Sequence, residues 1–503
     1  ALEGQLRAAA AAGIPAAVIF ASCLEPPDLA ERLAAIARDA GMAVCGGNGM
    51  GFFNLEQSLR VCGYPEPPVL EPGPVAVVSH SGSVFSALLH NRRGLRFNLV
   101  VSAGNELVTS AAAYLDHALD LPGTRVVALF LETVREPAAF RAALARAAAR
   151  AIPVVALKVG RAPAAVAMVA AHSGALAGEE GAYQALFDAY GVAQVATLDE
   201  LADTCELLSG RRAHPGGLAA IGDSGGERAH LLDLAERLRV PFAVISEATR
   251  QRLAAVLEPG LPPTNPLDAW GTDNDPYNIF LDCSRHLADD PDTGAFAYVV
   301  DLHSDRAERG HAWAAERVWT SIEKPFAVVC GVTSAIQDSA AARLRSSGVP
   351  VLEDVTSGLR AFLHLFERRD ARRLPSLAPP DPVLRETVRR WREILCAGEG
   401  LGEARALEML ADYGVPVART AAATGLQGVL AAAGRLGYPV ALKTVATSHK
   451  TELGGVTLGN RDEVALAAAY REMSSRLGPA VMVQEMVEPG VEMALGVVHD
   501  LQF

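Results

Sequence analysis

The sequence predicts a multidomain α/β protein built on doubly wound parallel sheets. Two patterns carry this prediction. Short apolar runs alternate with amphipathic helical segments over most of the chain, which favours a parallel sheet with helices on both faces. The chain also has 503 residues, half of them hydrophobic, which is enough to bury several cores. At about 150 residues per domain, this length predicts three or four domains.

The first segment alternates strand, helix and strand. We predict a strand at 16–21, a helix at 28–39 and a strand at 42–45. The arginine and apolar run at the start resemble a signal peptide, but the break at 13–15 favours a helix followed by a strand. No other stretch approaches the ~18 uninterrupted apolar residues of a membrane helix. The chain starts in mid-alternation without methionine, so we expect a further N-terminal part ahead of the domain 1–73.

The alternation continues through two more α/β units, 74–213 and 214–371. The predicted strands are 75–79, 99–102, 125–131 and 154–159 in the first unit and 218–222, 242–245, 297–302 and 326–330 in the second, with helices at 111–119 and 137–150. The segment 372–382 carries four prolines and indicates a linker. The last unit, 383–503, has a different alternation of elements.

Charge and cysteine content narrow the possible functions. A net charge of -13 and a pI near 5.5 leave no global basic surface, which argues against a nucleic-acid partner. Any anion must then be bound locally. The seven cysteines are scattered, odd in number and without CxxC spacing, which favours reduced thiols in the cytoplasm over disulfides or zinc. A bound metal would therefore be held by oxygen ligands.

Two strand-to-helix junctions have the composition of anion sites. In VAVVSHSGSVFSALL and AAIGDSGGERAHLLDLAERL, a buried strand is followed by serine and glycine at a helix start. The positive helix N-terminus and its open N–H groups attract anions. Each junction alone is equally consistent with a tight structural turn, whereas two of them in different units favour anion binding. The predicted residues are Ser81, Gly82 and Ser83 at the first junction and Ser224, Gly225 and Gly226 at the second.

One histidine lies in a glycine-flanked loop, VAMVAAHSGALAG. A lone histidine among apolar residues is more often a satisfied core residue. Gly174 and Gly178 beside His172, and a helix opening at Glu179, instead predict an exposed loop. An exposed imidazole can carry protons, bind metal or accept a transferred group.

In the last unit, the order of strand, lysine, glycine loop, second strand and hinge is typical of a nucleotide-binding site. Lys443 ends an apolar strand in GYPVALKTVATSHKTELGGVTLG, and a polar loop follows it. A lysine beside a flexible glycine loop suits a triphosphate, although a single such lysine is usually only solvated. A second strand leads to a hinge at 484–487, whose backbone can meet adenine. The predicted nucleotide-binding residues are Lys443, His449, Gly454, Gly455, Glu485, Val487 and, for the ribose, Glu492.

Together these motifs resemble the NDP-forming (ADP-forming) acyl-CoA synthetases, which include acetate–CoA ligases and are related to succinyl-CoA synthetase. The resemblance spans nearly the whole chain. It implies that His172 is the phosphorylated histidine, that Glu132 in ALFLETVRE orients it, and that the two helix starts cradle its phosphate. GGNGMGFFN resembles the coenzyme A segment and includes Asn48 and Gly49, although this chain has Gly46-Gly47-Asn48 where the family usually has Gly-Pro-Asn.

The resemblance also implies a domain order. A Rossmann-like CoA-binding unit (1–73, its C-terminal part) precedes a flavodoxin-like CoA-ligase unit with the phosphohistidine (74–213). A second flavodoxin-like ligase unit (214–371) follows, then the linker and an incomplete ATP-grasp unit (383–503). Because these sites lie in separate domains, we expect the His172 loop or the ATP-grasp unit to move. The metal ligands of the family would lie beyond Phe503 and are not assigned.

The implied activity joins a small carboxylic acid to coenzyme A at the expense of ATP and with Mg²⁺, through phosphohistidine and acyl phosphate. No motif specifies the acid. We expect a cytoplasmic homo-oligomer with no nucleic-acid or membrane partner. A nicotinamide dehydrogenase is disfavoured because no G-x-G-x-x-G follows a strand. A regulatory acyl-CoA-binding relative remains the alternative, and the presence of His172 and Glu132 favours the enzyme.

Overall fold

A computed structural model describes residues 1–65, 70–162, 164–165, 180–270, 276–303, 310–371, 385–398, 401–445, 452–491, 493 and 496. The described residues fall into two compact units, one within 1–375 and one within 376–497. Each unit has its own sheets and its own core.

The elements of the first unit alternate as the sequence predicts. Its helices are α1 Leu2–Ala11, α2 Leu29–Asp39, α3 Gly82–Leu89, α4 Ala111–Asp120, α5 Pro137–Ala149, α6 Glu180–Tyr190, α7 Leu198–Leu208, α8 Gly225–Leu238, α9 Glu247–Val256, α10 Pro276–Ala288, α11 His311–Ser321, α12 Asp338–Ser346 and α13 Val355–Ala371. Its strands are β1 Ala16–Ile19, β2 Ala43–Gly46, β3 Gly51–Asn54, β4 Leu59–Cys62, β5 Val75–Ser79, β6 Phe97–Ser102, β7 Val126–Leu131, β8 Val154–Lys158, β9 Ala193–Gln194, β10 Gly217–Gly222, β11 Leu267–Asp268, β12 Thr293–Val299, β13 Phe326–Val329 and β14 Val351–Leu352.

The larger sheet has seven strands in the order β4-β3-β6-β5-β7-β8-β9. Strands β6, β5, β7, β8 and β9 are parallel and follow the flavodoxin-like order 2-1-3-4-5, which confirms the predicted fold class. The hairpin of β3 and β4 joins this sheet antiparallel to β6, which the sequence reasoning did not predict. The segment GGNGMGFFN, predicted to bind coenzyme A, therefore contributes β3 to this sheet. Strands β1 and β2 form a separate parallel pair.

The second sheet, β11-β10-β12-β13-β14, is parallel and has the same 2-1-3-4-5 order. The strand predicted at 242–245 is wrong, because Phe242 makes only an isolated bridge to Leu218. The Asn265 side chain explains this. Its amide nitrogen donates to the carbonyls of Leu218 and Ala243, both at 2.9 Å, and so occupies positions that a ladder would use.

A buried group of charges joins the two parallel sheets. Arg93, beyond α3, forms an ion pair with Asp203 on α7, and Arg345 on α12 forms one with Glu206 on α7 at 2.8 Å. Glu353 bridges the two arginines. Burial raises the pKa of Asp203 to about 6 despite the adjacent Arg93. The pairing satisfies charges that would be costly to bury alone.

The second unit is a four-stranded antiparallel sheet in the order β15-β18-β16-β17, which carries helices. Its elements are α14 Arg385–Cys396, α15 Glu403–Asp412, β15 Thr420–Thr424, α16 Leu426–Leu436, β16 Val440–Thr444, β17 Val456–Asn460, α17 Glu463–Leu477 and β18 Ala480–Glu485. The inner faces of α16, α17, β16 and β18 form one apolar core. This antiparallel sheet accounts for the changed alternation beyond the linker.

Within the described ranges, no helix is both long and apolar enough to span a bilayer. All seven cysteines are unpaired.

Candidate active site

The first predicted anion site is a capped helix N-terminus at the carboxyl end of β5. Ser81 is extended, with φ -86° and ψ 122°, and its Oγ accepts a hydrogen bond from the Val84 N–H at 3.3 Å. The Ser79 hydroxyl donates to the Ser81 carbonyl at 2.8 Å and fixes the turn. A Cβ on Gly82 would lie 2.9 Å from Met50 Cγ, so close packing against Met50 favours glycine at this position. The structure thus confirms a helix start at Gly82.

The second predicted anion site repeats this geometry at the end of β10. Ser224 caps α8, and its Oγ accepts from the Glu227 N–H at 3.3 Å. A Cβ on Gly225 would approach Asp268 Oδ2 to 3.2 Å. Both junctions are helix N-termini at the carboxyl edge of a parallel sheet, where open α/β folds bind ligands. Phosphate binding at either one stays a prediction.

The predicted coenzyme A residues lie in a loop pinned between strand ends. Asn48 is exposed and left-handed, with φ 55°, and its N–H donates to the Ala21 carbonyl at 2.7 Å. A Cβ on Gly49 would lie 2.7 Å from the Ser102 carbonyl oxygen. The Met50 N–H donates to Ser102 Oγ at 2.9 Å. Because Met50 also packs on Gly82, the loop and the first helix N-terminus are neighbours.

Glu132 follows β7 and is tied to the same edge through His80. Its backbone N–H donates to His80 Nδ1 at 3.0 Å, and His80 Nε2 lies 2.8 Å from Glu106 Oε1. Since Nδ1 accepts, the ring proton is on Nε2 and is donated to the Glu106 carboxylate. The N–H of Ala111 also donates to Glu106, at 2.6 Å. His80 and Glu106 are both buried, so this chain of bonds fixes the loop of Glu132 against the Ser81 turn.

Sequence reasoning missed His80 and Glu106. His80 lies in the SHSGS motif, in which the serine and the glycine indicated a helix start but the histidine was given no role. The available signal was a histidine directly after the mostly apolar strand VAVVS, a position that is buried and needs a partner. Glu106 is 26 residues away in sequence, and nothing local marks it as that partner.

We predict that His80→Gln keeps this loop in place and His80→Ala does not. A glutamine amide can accept from the Glu132 N–H and donate to Glu106, whereas alanine removes both hydrogen bonds and leaves Glu106 with the Ala111 N–H as donor. Removing one partner of a buried hydrogen bond costs about 1–3 kcal/mol. Urea unfolding should therefore show a loss of that order in the alanine variant and a much smaller loss in the glutamine variant. Equal losses in the two variants would contradict a role for these hydrogen bonds.

In the second unit the predicted phosphate-binding residues lie together. Lys443 is on β16, and its Nζ forms an ion pair with Glu403 Oε1 at 2.7 Å. Strand β17 pairs with β16, placing Val456 opposite Lys443, and the Thr444 N–H donates to the Gly455 carbonyl at 2.8 Å. Gly454 is left-handed, with φ 63°. The lysine and the glycine turn are therefore adjacent, as the nucleotide prediction requires.

The hinge lies at the end of β18. Glu485 pairs with Val440 across the sheet, and its carboxylate accepts from Arg419 at 2.7 Å (backbone N) and 2.6 Å (Nε). These hydrogen bonds lower the pKa of Glu485. The side chain is thus occupied by Arg419, and the Glu485 N–H donates to the Arg419 carbonyl at 3.0 Å, so a contact of this hinge with adenine stays a prediction. Val487 is exposed.

Three predicted residues, His172, His449 and Glu492, lie outside the described residues. Among the residues described, no group of three or more His, Cys, Asp or Glu side chains is placed to hold a metal ion.

These features define a class of protein: two flavodoxin-like units with capped helix N-termini at their carboxyl edges, followed by an antiparallel unit with a lysine beside a glycine turn. The succinyl-CoA ligase-like flavodoxin domain matches residues 72–208, and the ATP-grasp domain matches residues 396–503. A solved structure with this fold is the dinucleotide-forming acetyl-coenzyme A synthetase 1 of Ca. Korarchaeum cryptofilum, in complex with phosphate and ADP. Its TM-score is 0.66 at 22% identity, over 75% of this chain and 83% of that one.

Sequence relatives confirm the family resemblance. The ADP-forming acetate–CoA ligase I of Archaeoglobus fulgidus is 29% identical over 495 residues, 95% of this chain and 70% of that protein. A trans-feruloyl-CoA synthase from an unknown prokaryotic organism is 28% identical over 94% of this chain and 68% of its own length. The alpha subunit of acetate–CoA ligase I from Pyrococcus furiosus matches 42% of this chain at 29% identity, covering 48% of that subunit. Most of these relatives are named as ADP-forming acid–CoA ligases.

Proposed function

We propose that this chain is an ADP-forming acyl-CoA synthetase. The observation that carries the proposal is the common edge of the seven-stranded sheet. There the Asn48 loop packs on the helix N-terminus at Gly82, and His80 ties Glu132 to the same turn. The predicted coenzyme A loop, phosphate cradle and orienting carboxylate are thus neighbours, which supports the proposal. The relatives named above support the same activity.

The reaction proceeds by covalent phosphoryl relay, because a carboxylate is a poor electrophile until it is activated. An imidazole nitrogen of His172 attacks the γ-phosphorus of ATP, and the bond to ADP breaks. A carboxylate oxygen of the acid then takes the phosphoryl group and forms an acyl phosphate. The coenzyme A sulfur attacks the acyl carbon, phosphate leaves and the thiol proton passes to solvent. The products are ADP, phosphate and the thioester.

The described residues have distinct roles in this cycle. The helix N-termini at Ser81–Ser83 and Ser224–Gly226 stabilise charge on the phosphoryl oxygens, and Glu132 orients the imidazole. Asn48 and Gly49 contact coenzyme A. ATP lies in the second unit, with Lys443 and the Gly454–Gly455 turn at its phosphates.

Mg²⁺ would neutralise the triphosphate, as this hard cation binds phosphate oxygens. The described residues offer no group of three acidic or imidazole ligands for it, so no step is assigned to the ion. We also propose a cytoplasmic homo-oligomer. All seven thiols are unpaired, as in the reducing cytoplasm, and the names of some relatives as alpha and beta subunits support an assembly of several chains.

The decisive experiment incubates the full chain with Mg²⁺, ATP and coenzyme A against a panel of acids. The panel includes short, branched and aromatic acids, and both ADP and thioester are measured. We expect equimolar ADP and thioester with one class of acid, and no sustained ADP release beyond the initial phosphorylation of the enzyme when coenzyme A is left out. Binding of acyl-CoA without ADP release for any acid would instead identify a regulatory relative.

A further inference from the structure

A buried lysine outside the assigned machinery lies at the same edge of the sheet. Lys158 is the last residue of β8, and it pairs in register with Leu131, the residue before Glu132. Only 4% of Lys158 is exposed. The carboxyl end of β8 thus places an ammonium group beside the Glu132 loop.

The ammonium group is incompletely paired. Its Nζ donates to the Val159 carbonyl at 2.5 Å and lies 4.5 Å from the centroid of the Tyr183 ring. Among the described residues it has no carboxylate ion-pair partner, whereas Arg161 nearby is paired with Glu180 at 3.0 Å. An ammonium has three donors, and only one of them has an oxygen acceptor here. Buried charges are normally paired, so this arrangement points to an anion that binds during function.

Burial and three neighbouring charges shift the pKa of Lys158, and they act in opposite directions. Burial, with a smaller contribution from the positive charge of Arg161, lowers its pKa from 10.5 to about 8. The carboxylates of Glu180 on α6 and Glu132 after β7 act in the opposite direction. Tyr183 on α6 contributes its ring face. Lys158 is therefore charged at neutral pH, but at a cost that a bound anion would remove.

We propose that Lys158 is a cationic binding residue for the phosphoryl group at this edge, where its ammonium offsets the charge of the phosphate beside Glu132. The proposal rests on the proposed function in that the anion is the phosphoryl group of the relay. In that setting the helix N-terminus at Gly82 and Lys158 act together, the former through N–H dipoles and the latter through a full charge. Lysine suits the role because it binds phosphate as a point charge.

Binding of inorganic phosphate tests this without catalysis. The full chain is titrated calorimetrically at pH 7 as wild type, Lys158→Met and Lys158→Arg. A matched control is Lys324→Met, because Lys324 is also partly buried and donates to a backbone carbonyl, that of Asp290, at 2.6 Å. We expect the methionine variant to bind phosphate about 10-fold or more weakly, the range of a charged hydrogen bond. The arginine variant and the Lys324 control should stay within about 3-fold of wild type.

Two further readouts separate binding from structure. Because the pKa of Lys158 lies near 8, the phosphate affinity of the wild type should fall above that pH, while the arginine variant keeps its affinity.

The second readout is thermal stability. The unfolded chain binds the Lys158 proton more tightly than the folded chain does, so the charge on Lys158 destabilises the fold at pH 7. Lys158→Met should therefore unfold at the same or a higher temperature. A folded methionine variant that binds phosphate as tightly as wild type overturns the proposal, and so does a wild type that binds none.

The outcome is independent of the activity assay. Phosphate binding that depends on Lys158 in a chain that makes no thioester would reject the proposed function and keep the anion site. Thioester synthesis by a chain whose phosphate binding does not depend on Lys158 would keep the proposed function and reject the anion site.

Discussion

Replacing His172 with alanine is expected to abolish both phosphoenzyme formation and acyl-CoA synthesis. In the proposed relay the imidazole nitrogen forms the bond to phosphorus, and alanine has no atom that can replace it. The measurement is labelling from γ-labelled ATP, with the label lost in acid and retained in base, together with thioester synthesis. Both signals should fall to background in the same variant.

The control is His117→Ala, which removes an exposed imidazole from α4, away from the carboxyl edge of the sheet. It should label and turn over like the wild type. The thermal unfolding of both variants shows whether each is folded. A folded His172→Ala protein that still labels and still makes thioester would remove the histidine from the mechanism and with it the relay.

Local signals made the two helix starts of the candidate site predictable from the sequence. The serine cap and following glycine at Ser81–Gly82 and at Ser224–Gly225 can be identified from adjacent residues, because a side-chain acceptor at the N-cap bonds to an N–H two or three residues further on and favours a helix start there. The alternation of apolar runs likewise predicted β5, β7 and β8 to within a residue or two. Such features depend on sequence neighbours, so a single chain is enough to find them.

The rest depends on contacts between residues distant in sequence. The bond of His80 to Glu106 and the bridge that Asn265 makes across β10 both depend on the order of strands in the sheet. Lys158 appears as an ordinary strand residue until the register sets it beside Leu131. The ion pair of Lys443 with Glu403 links residues 40 positions apart. Periodicity predicts which residues are buried, but it does not reveal which partner meets them.

Glu132→Gln is the second prediction with a large expected effect. The hydrogen bond from this residue to His80 comes from the backbone N–H, so changing the side chain leaves the loop anchored. Glutamine can still accept a hydrogen bond, but it cannot balance the charge of an imidazolium. We therefore expect ATP binding to be unchanged and single-turnover phosphorylation of His172 to slow by about 10²-fold or more, the scale of a lost electrostatic or orienting group.

The matched control for Glu132→Gln is Glu136→Gln, the same substitution four residues further along, at an exposed position. It removes one negative charge from the same loop, so a general effect of loop charge would slow both variants alike. A rate loss confined to Glu132→Gln locates the effect at the imidazole. If rapid-quench kinetics give the same phosphorylation rate for Glu132→Gln as for the wild type, Glu132 serves only the fold. The carboxylate beside His172 must then be sought elsewhere in the chain.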